Sequence, residues 1–239
     1  GIADPRPTRG DTASASKTSE ASKDAMGVVR EVVTSSTEAI SSASARWLLL
    51  ASAFRFCAGF AILVWLPPAV RSRFPGDVDS FAVYNSLIKA LAGGAASLSG
   101  GVAADTLRTQ GLGDRSGAVF SAASSVLAAP LWYMVLSPGL SFEAGMGFLL
   151  VEYLVAESWL GPAIASLQSS VPPERRGVAQ GIFSSLTALG NLLPAALGLL
   201  APDDLVFGLQ ASVTFCYLLS AACFVGAATS LPEGADNLS

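Results

Sequence analysis

Two apolar segments flank the turn Pro172-Pro173-Glu174-Arg175-Arg176-Gly177. Each is long enough to cross the ~30 Å hydrocarbon layer of a bilayer at ~1.5 Å of rise per helical residue. Together they predict a helical hairpin in a membrane. Both carry groups that an inert anchor would omit. Glu152 and Glu157 lie in the first, and Gln180, Ser184, Thr187 and Asn191 form a stripe along the second. Polar groups in hydrocarbon are costly unless they face protein or water, so these positions point to a solute pathway.

The rest of the chain repeats this pattern. Apolar stretches at 47–69, 80–103, 116–137, 143–170, 177–201 and 205–231 predict six membrane spans, giving an all-α membrane protein with a six-helix bundle over 47–231. The connections carry helix breakers: Arg71-Ser72-Arg73-Phe74-Pro75-Gly76-Asp77, Ser137-Pro138-Gly139 and Pro202-Asp203-Asp204. Composition agrees, with 51% hydrophobic residues, 13% charged residues and a mean hydropathy of +0.54. Residues 1–28, rich in Ser, Ala, Pro and charge, predict a disordered tail. Over 29–46, Val29, Val33, Ser36, Ile40, Ala43 and Trp47 fall on one helical face, which predicts a juxtamembrane linker helix. Residues 232–239 form a short tail. The first residue is Gly rather than Met, which suggests a piece of a longer chain.

Charge sets the orientation. Arg30, Arg46, Arg108, Arg115, Arg175 and Arg176 collect on one side, against Arg71 and Arg73 on the other, so the positive-inside rule places both termini in the cytoplasm. No basic block of the kind that binds nucleic acid is present. The absence of histidine removes most zinc sites, bis-imidazole haem and Ser-His catalysis. Cys57, Cys216 and Cys223 all lie in apolar segments and read as packing residues. These features imply no metal, no cofactor and no enzyme active site.

Four ionisable residues sit well inside spans: Arg55, Lys89, Glu152 and Glu157. The third and sixth spans hold none in their interiors, so the charged helices are expected to face one another. Asn85, Lys89, Gly93 and Ser97 share one helical face, as do Glu157, Gly161 and Gln168. Two readings follow: the charges pair and lock helices together, or they bind solute and carry protons. Lys89 and Glu157, both near mid-span, are the foremost candidates for the second role, with Arg55, Asn85, Glu152, Gln180 and Asn191 along the same pathway. Prolines at 67, 68, 130, 162 and 194 are expected to kink or break spans.

An internal repeat is visible where Trp65-Leu66-Pro67-Pro68 matches Trp159-Leu160-Gly161-Pro162. Ser86-Leu87 likewise echoes Ser185-Leu186 at a nearly equal offset. Such a pattern suits two three-helix repeats, the plan of one half of many transporters.

Gly101-Val102-Ala103-Ala104-Asp105, at the end of the second span and followed by Arg108 and Arg115, resembles the G-x-x-x-D loop motif of the major facilitator superfamily. Thr106 stands where that family usually carries Arg or Lys. The resemblance extends over about residues 30–231 and implies the C-terminal six-helix half of a twelve-helix secondary transporter. The N-terminal half would then be its missing partner. It also implies that Gly101, Asp105 and Arg108 form a gating loop, and that the helices carrying the four charges line the cavity while the third and sixth stay peripheral. The run Gly190-Asn191-Leu192-Leu193-Pro194, the two Trp segments and the Arg-Arg-Gly loop are similar to the spinster-like branch, whose members are linked to lipid-derived and organic-anion solutes. The expected activity is alternating-access movement of a small organic solute across the lipid bilayer, with proton coupling. The alternatives are a complete six-helix channel, an intramembrane enzyme, or a transporter-like scaffold that moves nothing.

Overall fold

Ser42 starts the first long helix, its hydroxyl accepting from Ala45 N at 3.1 Å. That helix, α1 (Ala43–Arg73), runs unbroken through Pro67 and Pro68. After the Phe74–Asp77 turn come α2 (Val78–Leu107), α3 (Ser116–Val135), α4 (Phe142–Ala156) and α5 (Leu160–Ser169), then α6 (Arg176–Gly190), α7 (Leu192–Leu200) and α8 (Leu205–Ser230). The computed structural model describes residue 34 and residues 36–200 and 204–231. The tails expected at 1–28 and 232–239, and the linker before residue 36 apart from Thr34, lie outside the described residues. The described part of the linker is a helical turn at 36–39 that stops before Ser42, because the serine caps a new helix there.

The described chain is about 90% helical and contains no strand. Five helical segments are long and apolar enough to cross a membrane: Ala43–Arg73, Val78–Val135, Phe142–Ser169, Pro173–Leu200 and Leu205–Ser230. The protein is therefore built as an integral, multi-pass membrane protein. Its second segment is not one straight rod. Gly111 (φ 103°) and Gly113 (φ 55°) adopt backbone angles that other residues rarely reach, and the chain turns so that α2 and α3 touch each other.

Prolines act unequally. Pro130 leaves α3 continuous, whereas Pro162 and Pro194 each follow a break by three residues. At the first break the helix tightens into a 3₁₀ turn over Glu157–Trp159; at the second it yields at Asn191. The paired Trp-containing segments consequently differ: Trp159 sits in a break, while Trp65 lies in continuous helix and donates from Nε1 to Pro194 O at 2.8 Å.

Packing places α8 against α1 and α3, α3 against α4, α1 against α6, and α2 against α4 and the Glu157–Trp159 turn. One end of the bundle gathers the start of α1, the α2–α3 turn, the 172–176 loop and the end of α8. There Arg175 pairs with Glu38 at 2.5 Å and Arg115 Nε donates to Leu231 O at 2.9 Å.

The apolar core is split in two. One cluster holds Leu66, Trp132, Leu149, Leu209 and Val213, and the other holds Leu48, Trp159, Phe183 and Phe224. Between them, partway along α1, α3, α4 and α8, runs a layer of buried polar side chains including Ser52, Arg55, Ser124, Ser125, Glu152 and Ser220. Ser52 and Ser125 return their hydroxyls to carbonyls one turn back, and Ser220 donates across to Ala51 O at 2.9 Å. The layer's charged members form the site.

Candidate functional site

The site is organised by the break before Pro162. Proline has no N–H to donate to Ser158 O, four residues back, and its ring crowds that carbonyl; here, unlike at Pro67, Pro68 and Pro130, the helix gives way to the 3₁₀ turn Glu157–Trp159. The carbonyls around the turn meet other helices instead. Ala156 O accepts from Arg55 Nη2. Ser121 Oγ, bonded to Gly117 O at 2.8 Å, also lies 3.3 Å from Trp159 O. Ser158 O packs against the bare Cα of Gly100, so close that a Cβ there would overlap it. A lack of side chain on α2 thus lets the broken backbone of α4 and α5 come near.

Beside this turn opens a cleft of about 260 Å³, walled by Arg55, Phe56, Tyr153, Glu157, Trp159 and Tyr217, with Gly59, Phe60, Leu63 and Leu160 completing an apolar flank. Arg55 is 4% exposed. Its guanidinium carbon lies 4.4 Å from the centre of the Tyr217 ring and 5.4 Å from that of Trp159, within the range where an aromatic face attracts a cation. One nitrogen is engaged by Ala156 O, while Nε and Nη1 have no partner among the described residues. Glu152, 1% exposed, accepts the Tyr217 hydroxyl proton at Oε1 over 2.6 Å, and its Oε2 is unpartnered. No ion pair joins Arg55 or Lys89 to either glutamate among the described residues. The four membrane charges are therefore not locked together as salt bridges.

Tyr217→Phe removes the donor and leaves the buried carboxyl of Glu152 without any partner. The expected loss is ~1–3 kcal/mol, measured by unfolding of the detergent-solubilised protein. Combining it with Glu152→Leu should cost clearly less than the sum of the single changes, since the stranded group is gone. Strict additivity would show that the contact contributes nothing.

The other expected site residues are distributed as follows. Lys89 is half-buried on α2, without a hydrogen bond or ion pair to any described residue, and it does not line the cleft. It lies on the opposite side of its helix from the exposed Leu87, Leu91 and Leu98. Asn85 Oδ1 and Gln180 Oε1 are buried and unpartnered. Asn191 is exposed at the α6–α7 break, its amide donating to Thr187 O at 3.3 Å, and Ser184 and Thr187 are exposed beside it. In the loop motif, Arg108 pairs with Asp114 at 3.3 Å, while Asp105 and Arg108 line a small cleft with Ser166 and Ser169. Gly101 has open space at its Cα; its neighbour Gly100 makes the close approach.

Tyr217, Tyr153 and Trp159 were not legible as site residues from sequence alone. Tyr217 carried one signal: a phenol in a span with no ionisable residue must find a partner for its hydroxyl. No group of three or more His, Cys, Asp or Glu side chains able to hold a metal occurs among the described residues. The fold and site define an apolar helical bundle of the multi-pass membrane class with a charged internal cleft. No protein-family model, curated protein or solved structure matches this chain.

Proposed function

We propose that this chain is the C-terminal half of a secondary active transporter of the major facilitator type, and that the cleft at Arg55 binds the polar end of a small organic anion. The observation that carries this reading is the buried arginine itself. A guanidinium held by two aromatic faces and one carbonyl, with two N–H groups unpartnered at the wall of a cleft, is arranged to receive carboxylate or phosphate oxygens. Phe56, Phe60, Leu63 and Leu160 supply an apolar flank for the remainder of an amphipathic solute. Glu157, in the same cleft, is positioned to carry the coupling proton.

Two further features support the half-transporter plan. The reversal at Gly111 divides Val78–Val135 into two helices that touch each other, which supports counting six passages, the number that a half of two three-helix repeats would have. Unpartnered polar atoms on Asn85 and Gln180, with the exposed stripe Ser184, Thr187 and Asn191, lie on α2 and α6, outside the α1–α3–α8 core. Such groups are tolerated at membrane depth where a second body or a water-filled path covers them. Flux measurements in proteoliposomes test the proposal. The full gene product should take up amphipathic organic anions, and residues 34–231 alone should take up none. Flux through the isolated piece, or none through the whole protein across a panel of such anions, would refute it.

A further inference from the structure

A second cleft, of about 440 Å³, opens at the end of the bundle opposite to Arg175 and Leu231. Its walls come from three helix ends: Ser72 and Arg73 close α1, Tyr133 and Leu136 close α3, and Asp204 with Phe207 begins α8. The level is that of a membrane–water boundary. Phe74, Tyr84 and Phe142 meet edge to face at this end of the bundle, at 5.7 and 5.8 Å, and Tyr84 and Tyr133 are exposed here, as tyrosines are at the headgroup level of a bilayer.

The cleft has two poles. At one, Arg73 has its guanidinium carbon 5.7 Å from the Phe74 ring and a buried Nε with no partner, beside the Ser72 hydroxyl. At the other, Asp204 uses Oδ1 to cap α8 by accepting from Phe207 N at 3.1 Å. Gln210 donates one amide N–H to Tyr133 O at 2.7 Å, which fixes the amide so that its Oε1 remains as an acceptor. Arg73 and Asp204 share the cleft and form no ion pair with each other. Opposite charges kept apart across a cavity at the boundary of the bilayer complement a ligand that is itself a zwitterion.

We infer that this cleft binds the headgroup of a phosphatidylethanolamine molecule, with the phosphate on Arg73 and Ser72 and the ammonium on Asp204 and Gln210 Oε1. The acceptor pole favours an ammonium that still carries N–H donors over a quaternary choline. The Asp204 carboxylate disfavours purely anionic headgroups. Val206 and Phe207 continue the wall as apolar surface, along which acyl chains leave toward the bilayer. This assigns the lipid to a site separate from the Arg55 cleft, with no residue in common.

The test is native mass spectrometry of the full-length protein exchanged into micelles with phosphatidylethanolamine, phosphatidylcholine or phosphatidylglycerol of identical acyl chains. Wild type should retain the ethanolamine lipid about tenfold over the other two, and Arg73→Gln should lose that retention about tenfold. Asp204→Asn keeps a side chain able to cap α8, so it should hold the fold while narrowing the preference over phosphatidylglycerol. Equal retention of the three lipids by wild type, or undiminished retention by a folded Arg73→Gln variant, would overturn the inference. Displacement of the lipid by millimolar soluble phosphoethanolamine would also overturn it, by assigning the cleft to a free solute.

Discussion

Arg55→Lys in the full-length protein is expected to lower solute affinity by about tenfold or more while the bundle stays folded. Lysine keeps the positive charge beside Glu152 and Glu157, so neither carboxylate is stranded. What it loses is the planar fork, which donates to Ala156 O, lies over Tyr217 and Trp159, and still has two N–H groups unpartnered. An ammonium satisfies one of these demands at a time. The change should appear as a raised KM for uptake, with the melting temperature lowered by only a few degrees. Arg55→Ala is a poorer probe, because it empties a fully buried position and removes the bond to Ala156 O and the packing on Tyr217 and Trp159 together, mixing folding with binding. A lysine variant with wild-type KM would remove the guanidinium from solute recognition.

Neighbouring glycines on α2 are expected to respond in opposite senses. A Cβ at Gly100 would overlap the carbonyl of Ser158, which is backbone held in place by the break at Pro162 and cannot rotate away. Gly100→Ala should therefore destabilise the protein by at least ~2 kcal/mol, prise α2 from the turn and impair the adjoining cleft. At Gly101 nothing stands within 4 Å of the added carbon, so Gly101→Ala should be neutral or slightly stabilising. Thermal unfolding of the two variants side by side checks the pair. Equal behaviour would mean that α2 does not approach Ser158 in the way described.

Much of the span layout was legible because hydropathy and breakers report where a helix must start and stop. The apolar stretch 47–69 became Ala43–Arg73, and 205–231 became Leu205–Ser230. Proline effects were less legible. Pro67 and Pro68 look as disruptive as Pro162 in sequence, yet only the latter ends up beside a break, where Gly100 and Arg55 meet the altered backbone. The site was half legible. Depth along a helix follows from counting residues, which put Lys89 and Glu157 near mid-span and Arg55 and Glu152 well inside their spans. Azimuth relative to other helices does not follow from a single helix's period. Lys89 and Glu157 were the foremost candidates; the cleft holds Glu157 with Arg55, while Lys89 is half-buried on α2 and lines no part of it. Tyr217 joins from a helix more than fifty residues away, through a hydrogen bond that only tertiary packing creates.

A solute that reaches the Arg55 cleft through this half of a transporter requires an aqueous path along the polar side of α6. Both flanks of this helix are open in the bundle: Thr187 with Ser184 and Asn191 on one, and Leu189, 46% exposed, on the other. Single cysteines at Thr187 and at Leu189, placed in the full-length protein with Cys57, Cys216 and Cys223 replaced by alanine, separate the two in native membranes. A membrane-impermeant thiol reagent should modify Thr187→Cys rapidly and leave Leu189→Cys unmodified, because water reaches the first and lipid covers the second. Equal protection of both positions, or faster modification at Leu189→Cys, would contradict the account.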